Sequence, residues 1–179
     1  MSEGLPVWLN ELRDSRTGCP PIRLPWTGNV PSTPRLRSLV DTLALQRLRG
    51  VMQLGLGYLV YPGAVHTRFE HSLGTYDMAR RLVLHLLRGG GGRWLREEDA
   101  VTFLAAALLH DVGHYPFSHT LEELPPDESG RIELQRHDRR AREVILNDGP
   151  LTEILLRQWE VEPERVVSII DEQQPPADQ

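Results

Sequence analysis

The sequence predicts an all-α protein with a short irregular or β-like N-terminal arm. Apolar residues recur at the helical period in several long stretches, and residues that start or stop helices bound those stretches. No stretch shows a convincing strand alternation, apart from weak β-like segments at 22–30 and 58–61. With 179 residues the chain has the length of about one domain with a core of its own.

The first 32 residues hold five prolines and the stretch TGNVPS, so they read as an irregular arm or short hairpin. Ser32 and Thr33 before Pro34 open a helix, because proline suits a first turn where its missing N–H is not needed. The stretch PRLRSLVDTLALQRLRG then sets Leu36, Leu39, Val40, Leu43 and Leu48 on helical spacing, ending at Gly50. QLGLGYLVYPGAVHT is rich in glycine and reads as a loop or short extended piece.

From about Arg68, the positions Phe69, Leu73, Tyr76, Ala79, Leu82, Val83 and Leu86 form a second helical face, stopped by GGGG at 89–92. Glu97, Glu98 and Asp99 favour the positive end of a third helix, whose stretch AVTFLAAALL is apolar on most faces and must be central. A polar loop containing PPDESG precedes a helix at about 133–147, which NDGP ends. Shorter helices follow Pro150 and Pro163 before QQPPADQ frays. The expected organisation is an arm at 1–32, a helical domain at 33–172 and a disordered tail at 173–179.

The net charge is −5 and the 20 basic residues are arginines scattered along the chain, which argues against a dedicated nucleic-acid coat. Cys19 is the single cysteine, so no internal disulfide forms and a reducing compartment is expected. The longest apolar run, FLAAALL, is far short of a membrane span, and Glu3 and Pro6 interrupt any signal-peptide pattern. These features predict a cytoplasmic protein with no membrane partner.

Polar residues that can do chemistry gather in two places: HTRFEHS, with His66, Arg68, Glu70 and His71, and HDVGHYPFSH, with His110, Asp111, His114 and His119. Divalent metals bind imidazole nitrogens and carboxylate oxygens converging from different parts of a chain. Neighbours on a helix are splayed by about 100°, so His110 and Asp111 can share an ion only near a helix end, which Gly113 supplies. His71 would then tie two helices together through that ion. Burying four histidines and an aspartate unpaired would cost several kcal/mol, so the spacing alone favours a metal or phosphate site. His85, isolated in VLHLL, reads as a capping or solvated side chain.

LVYPGAVHTRFEHSLG, followed about 39 residues later by HDVGHYPFSH, resembles the HD-domain phosphohydrolases, and within them the deoxynucleoside triphosphate triphosphohydrolase branch. The likeness extends upstream through LVDTLALQRLRGVMQLG and covers roughly residues 22–172. It implies an HD-domain helical fold in which His71, His110 and Asp111 bind a divalent metal: iron, manganese, magnesium or zinc. It also implies that Arg68 contacts substrate phosphates and that Gln53 and Leu54 border the deoxyribose. By the same resemblance His114 contacts the α-phosphate, His119 is the general acid, Glu122 orients His119, and His137 is a further active-site histidine. The implied partner is a small nucleotide, and relatives are commonly homo-oligomers.

Blander roles also fit the weaker members: a surface ion pair for Arg68, a solvated helix position for His137, an exposed acid for Glu122. The family's fourth ligand, an aspartate in a motif of the type D-x-D-x-x-D-Y, has no counterpart here, and Asp171 is the nearest late acid. The expectation is either a fragment of a longer protein or a short natural version whose site is open on one side. Three functions compete: hydrolysis of a deoxynucleoside triphosphate to nucleoside and triphosphate, phosphodiesterase or nucleotidase action on another ester, and a non-catalytic module that binds or assembles.

Overall fold

A computed structural model describes residues 12, 19–26, 28–90, 94–117 and 136–171. Two three-residue strands, β1 (Ile22–Leu24) and β2 (Gly28–Val30), pair antiparallel with Ile22 opposite Val30. Gly28 takes a φ of 83°, a left-handed conformation that glycine adopts without the strain an L side chain would carry. The β-like reading of 22–30 is therefore a real hairpin. The segment at 58–61 is not a strand: consecutive i→i+3 bonds, including Leu59 N–H to Leu56 O and Val60 N–H to Gly57 O, wind it into tight turns.

The helix expected from Pro34 to Gly50 is broken. It forms α1 (Pro34–Val40), α2 (Leu43–Gln46) and a 3₁₀ turn over Arg47–Gly50. Thr33 caps α1 through its hydroxyl, and Pro34 occupies the first turn as expected. The break lies at Asp41–Thr42. The Thr42 hydroxyl donates to Leu39 O and accepts from Leu45 N–H, competing with the first helix and capping the second. Leu43, placed by periodicity on the buried face, is consequently 86% exposed.

The long helices match their patterns closely. α3 (Arg68–Arg88) ends at Gly89, and α4 (Glu97–Leu109) begins with three acids at the positive end of its dipole. α4 buries Ala100, Val101, Leu104, Ala105, Leu108 and Leu109. It packs against α3 on one side and against α7 (Pro163–Ile170) on another, so it is central as its composition requires. α5 (His137–Asn147) packs on α7, and α6 (Gly149–Ile154), with Pro150 in its first turn, leads through a π-turn to Trp159. The buried Trp159 indole donates to Arg35 O at 2.9 Å, tying this end of the domain to α1. No helix among the described residues is long and apolar enough to cross a membrane.

Candidate metal centre

Two helix ends build the site. At the start of α3, the Thr67 hydroxyl accepts from Glu70 N–H while the Glu70 carboxylate accepts from Thr67 N–H. This capping box satisfies two otherwise orphaned donors. Glu70, the one acid in HTRFEHS, therefore serves as a cap. With α3 fixed at that residue, Arg68 and His71 lie one turn apart on the same face.

At the other side α4 stops at Leu109, His110 is its C-cap, and the chain continues in tight turns: Val112 N–H to Leu109 O at 2.9 Å and His114 N–H to Asp111 O at 3.1 Å. That unwinding lets adjacent residues face one point. His110 Nε2 lies 3.2 Å from His71 Nε2 and 3.3 Å from Asp111 Oδ1, and His71 Nε2 lies 3.8 Å from Asp111 Oδ2. One ligand atom from each of His71, His110 and Asp111 falls within 4.8 Å of the other two. Donors bonded to one divalent ion at about 2.1 Å stand roughly 3 to 4 Å apart, so the set fits such an ion.

The electrostatics agree with that fit. His110 Nδ1 lies 2.9 Å from Ala107 O, which only accepts, so Nδ1 holds the proton and Nε2 offers its lone pair toward the centre. Burial is the main influence that pushes His71 below the ordinary imidazole value, overcoming the opposing pull of Asp111, and this favours its neutral, ligating form. Burial works against ionisation of Asp111. The hydrogen bond from His114 and the nearby Arg68 guanidinium prevail, and they hold its carboxyl far below the usual carboxylate range. Arg68 Nη1 donates to Asp111 Oδ2 at 2.6 Å, and His114 Nε2 lies 3.2 Å from Oδ1.

The structure thus brings together His71, His110, Asp111, Arg68 and His114, and adds His137, whose ring stacks on His114 with centroids 4.0 Å apart. Arg68 is only 2% exposed and pairs with Asp111 in the interior, so the bland reading of a surface ion pair fails. The Gln53 backbone N–H donates to His66 O at 3.0 Å, while its side-chain oxygen is buried without a hydrogen-bond partner among the described residues. Leu54, next to it, is exposed. His119 and Glu122 lie outside the described residues.

Asp171 is a buried C-cap of α7 and is not among the converging ligand atoms. Gly113 does not end α4, which stops four residues earlier. Its need for glycine is one of space, since a Cβ there would lie 2.0 Å from His137 O and 2.4 Å from Ala141 N of α5. Sequence reasoning also missed Arg47, which donates through Nη1 to His114 O at 2.9 Å and through Nη2 to Val112 O. No local pattern marks that arginine. The TRFE of the capping box was a visible signal for Glu70.

Two grooves flank the centre. One of about 550 Å³ is lined by Met78, Leu82, Phe103, His110, His137 and Ile169. The other, of about 660 Å³, is lined by Trp26, His66, Glu70, His71, Thr75 and Met78. Each contains one of the converging histidines and has the size of a small-molecule site.

A family model described as HD domain matches residues 68–178. The uncharacterized protein YwfO of Bacillus subtilis is 39% identical over 132 residues, covering 74% of this chain and 28% of its own. The MG461 homolog of Mycoplasma pneumoniae is 38% identical over 135 residues, 75% of this chain and 30% of its own. The deoxynucleoside triphosphate triphosphohydrolase SAMHD1 of Mus musculus is 35% identical over 159 residues, 83% of this chain and 23% of its own. The chain spans less than a third of the length of these curated relatives.

Proposed function

This chain belongs to the HD-domain family, and from that premise we propose that it is a metal-dependent phosphohydrolase that cleaves deoxynucleoside triphosphates to deoxynucleoside and triphosphate. The observation that carries this reading is the convergence of the His71 and His110 Nε2 atoms with the Asp111 carboxylate. Similarity to a deoxynucleoside triphosphate triphosphohydrolase supports the substrate class.

His71, His110 and Asp111 would hold the divalent ion, which when bound lowers the pKa of a coordinated water and polarises a phosphoryl oxygen. Arg68 keeps Asp111 ionised and oriented, and its planar fork matches phosphate oxygens. His114, buried and stacked on His137, stands beside the carboxylate where an α-phosphate contact is proposed. Gln53 offers a buried side-chain oxygen, which a sugar hydroxyl can satisfy, and the exposed Leu54 provides an apolar edge next to it. His119 is proposed as the proton donor to the leaving oxygen, with Glu122 orienting it.

The test is metal analysis of the purified chain together with a product assay on each of the four deoxynucleoside triphosphates. His110→Ala and Asp111→Ala are expected to lose metal and turnover, while His119→Ala keeps metal and loses turnover. Equal metal loss in all three variants contradicts the assigned roles. Bound metal with no turnover of any of the four supports the binding or assembly module instead, and turnover only of other phosphate esters supports a phosphodiesterase or nucleotidase.

A further inference from the structure

The turn after α4 that presents Asp111 and His114 is held by two separate parts of the chain, Arg47 and α5. Val112 is fully buried, so its carbonyl needs a partner within the protein. That partner is Arg47, which reaches across 65 residues of sequence and also takes the His114 carbonyl at 2.9 Å. Two carbonyls two residues apart suit a planar guanidinium, whose donors are set in a rigid fork. The base of the fork is itself anchored, because Leu45 and Leu48 on either side of Arg47 are fully buried.

α5 also presses on the turn, at Gly113, where no side chain fits, and its first residue stacks on His114. Arg140, one turn along α5, lies over the Tyr115 ring at 4.2 Å and continues that contact. The turn therefore has little freedom left once Arg47 is in place.

We propose that Arg47 is a positioning residue of the metal centre: by bridging the Val112 and His114 carbonyls it sets where the Asp111 carboxylate and the His114 ring stand. Its fork bonds the carbonyls of Val112 and His114 and none of the three proposed ligands, so it acts through the backbone of the turn. The proposal rests on the metal-centre reading, and its test keeps the two separable.

Mn²⁺ binding, measured by paramagnetic resonance, and amide hydrogen exchange at Val112 and His114 are compared in wild type, Arg47→Ala, Arg47→Lys and Arg37→Ala. Arg37 is the matched control, since it donates to Pro20 O at 2.8 Å and to Ser32 Oγ at 2.8 Å away from the site. Arg47→Ala is expected to weaken Mn²⁺ binding about ten-fold or more and to speed exchange in the turn about ten-fold. Its melting temperature should fall further than that of Arg37→Ala, because the buried Val112 carbonyl loses its partner, so binding and exchange are measured well below both midpoints. Arg47→Lys should recover part of both effects, because one ammonium can serve one carbonyl. Wild-type binding and exchange in Arg47→Ala, or equal losses in Arg37→Ala, overturn the proposal. Absence of Mn²⁺ binding by wild type sinks the metal reading itself, and the exchange comparison then still decides whether Arg47 sets the turn.

Discussion

Charged residues cluster at both ends of α4, and the two clusters behave as opposites. At the N-terminal end Arg96 and Arg165 pair with Asp99 at 2.9 and 2.7 Å, and Arg165 reaches Glu98 at 3.3 Å, with side chains 35–61% exposed. Acids belong there, because the helix dipole is positive at that end. At the C-terminal end the dipole opposes a carboxylate, yet Asp111 sits just beyond it with a side chain only 5% exposed. Water supports the first cluster whatever its partners do. The second depends on Arg68, His110 and His114, and on any cation held there, so the less favourable end of the helix is the one built for chemistry.

The strongest way to break this comparison is Arg68→Met. It leaves the Asp111 carboxylate buried without its guanidinium, and is expected to cost about 3–5 kcal/mol in urea denaturation. Adding Asp111→Leu should recover much of that loss, because the uncompensated charge is then gone. A loss under about 1 kcal/mol for the single variant would show that the C-terminal cluster is as solvated as the other.

Gly113→Ala comes next, with an expected loss of about 1–3 kcal/mol in thermal unfolding. Its new Cβ meets backbone atoms of α5 at 2.0 and 2.4 Å, so the helix must withdraw and the His114–His137 stack must loosen. Unchanged stability would mean that α5 does not press on the turn.

Lowering pH should separate the two ends more gently. Burial depresses His71 and His114 below 6.5, so the folded state takes up their protons later than the unfolded chain does. The stability these neutral rings contribute is fully present above 6.5 and is lost as pH falls through the depressed values. Metal-free protein is therefore expected to have a lower urea midpoint at pH 5 than at pH 7.5. Asp111, depressed much further, adds its loss only in strong acid. A midpoint that rises on acidification would contradict the burial of these rings.

The smallest effect belongs to the N-terminal cluster. Arg165→Gln should change stability by about 0.5 kcal/mol or less, and salt should erase most of that. A loss above about 1.5 kcal/mol would make this exposed network an unexpected structural element.

The helical class, the extents of α3 and α4 and the candidacy of His71, His110 and Asp111 for one site were legible in the sequence itself. Apolar spacing, the acids at 97–99 and the glycine at 89 act over a turn or two of chain, and histidines beside an aspartate at a helix end have few other uses. Tertiary packing alone decided the rest. It turned Leu43 outward at the Thr42 break, and it buried Arg68 against Asp111, 43 residues away. It also gave Gly113 its role and sent Arg47 to carbonyls 65 and 67 residues distant. Local periodicity records which face a residue prefers, whereas a partner across the core exists only after two helices have chosen how to cross.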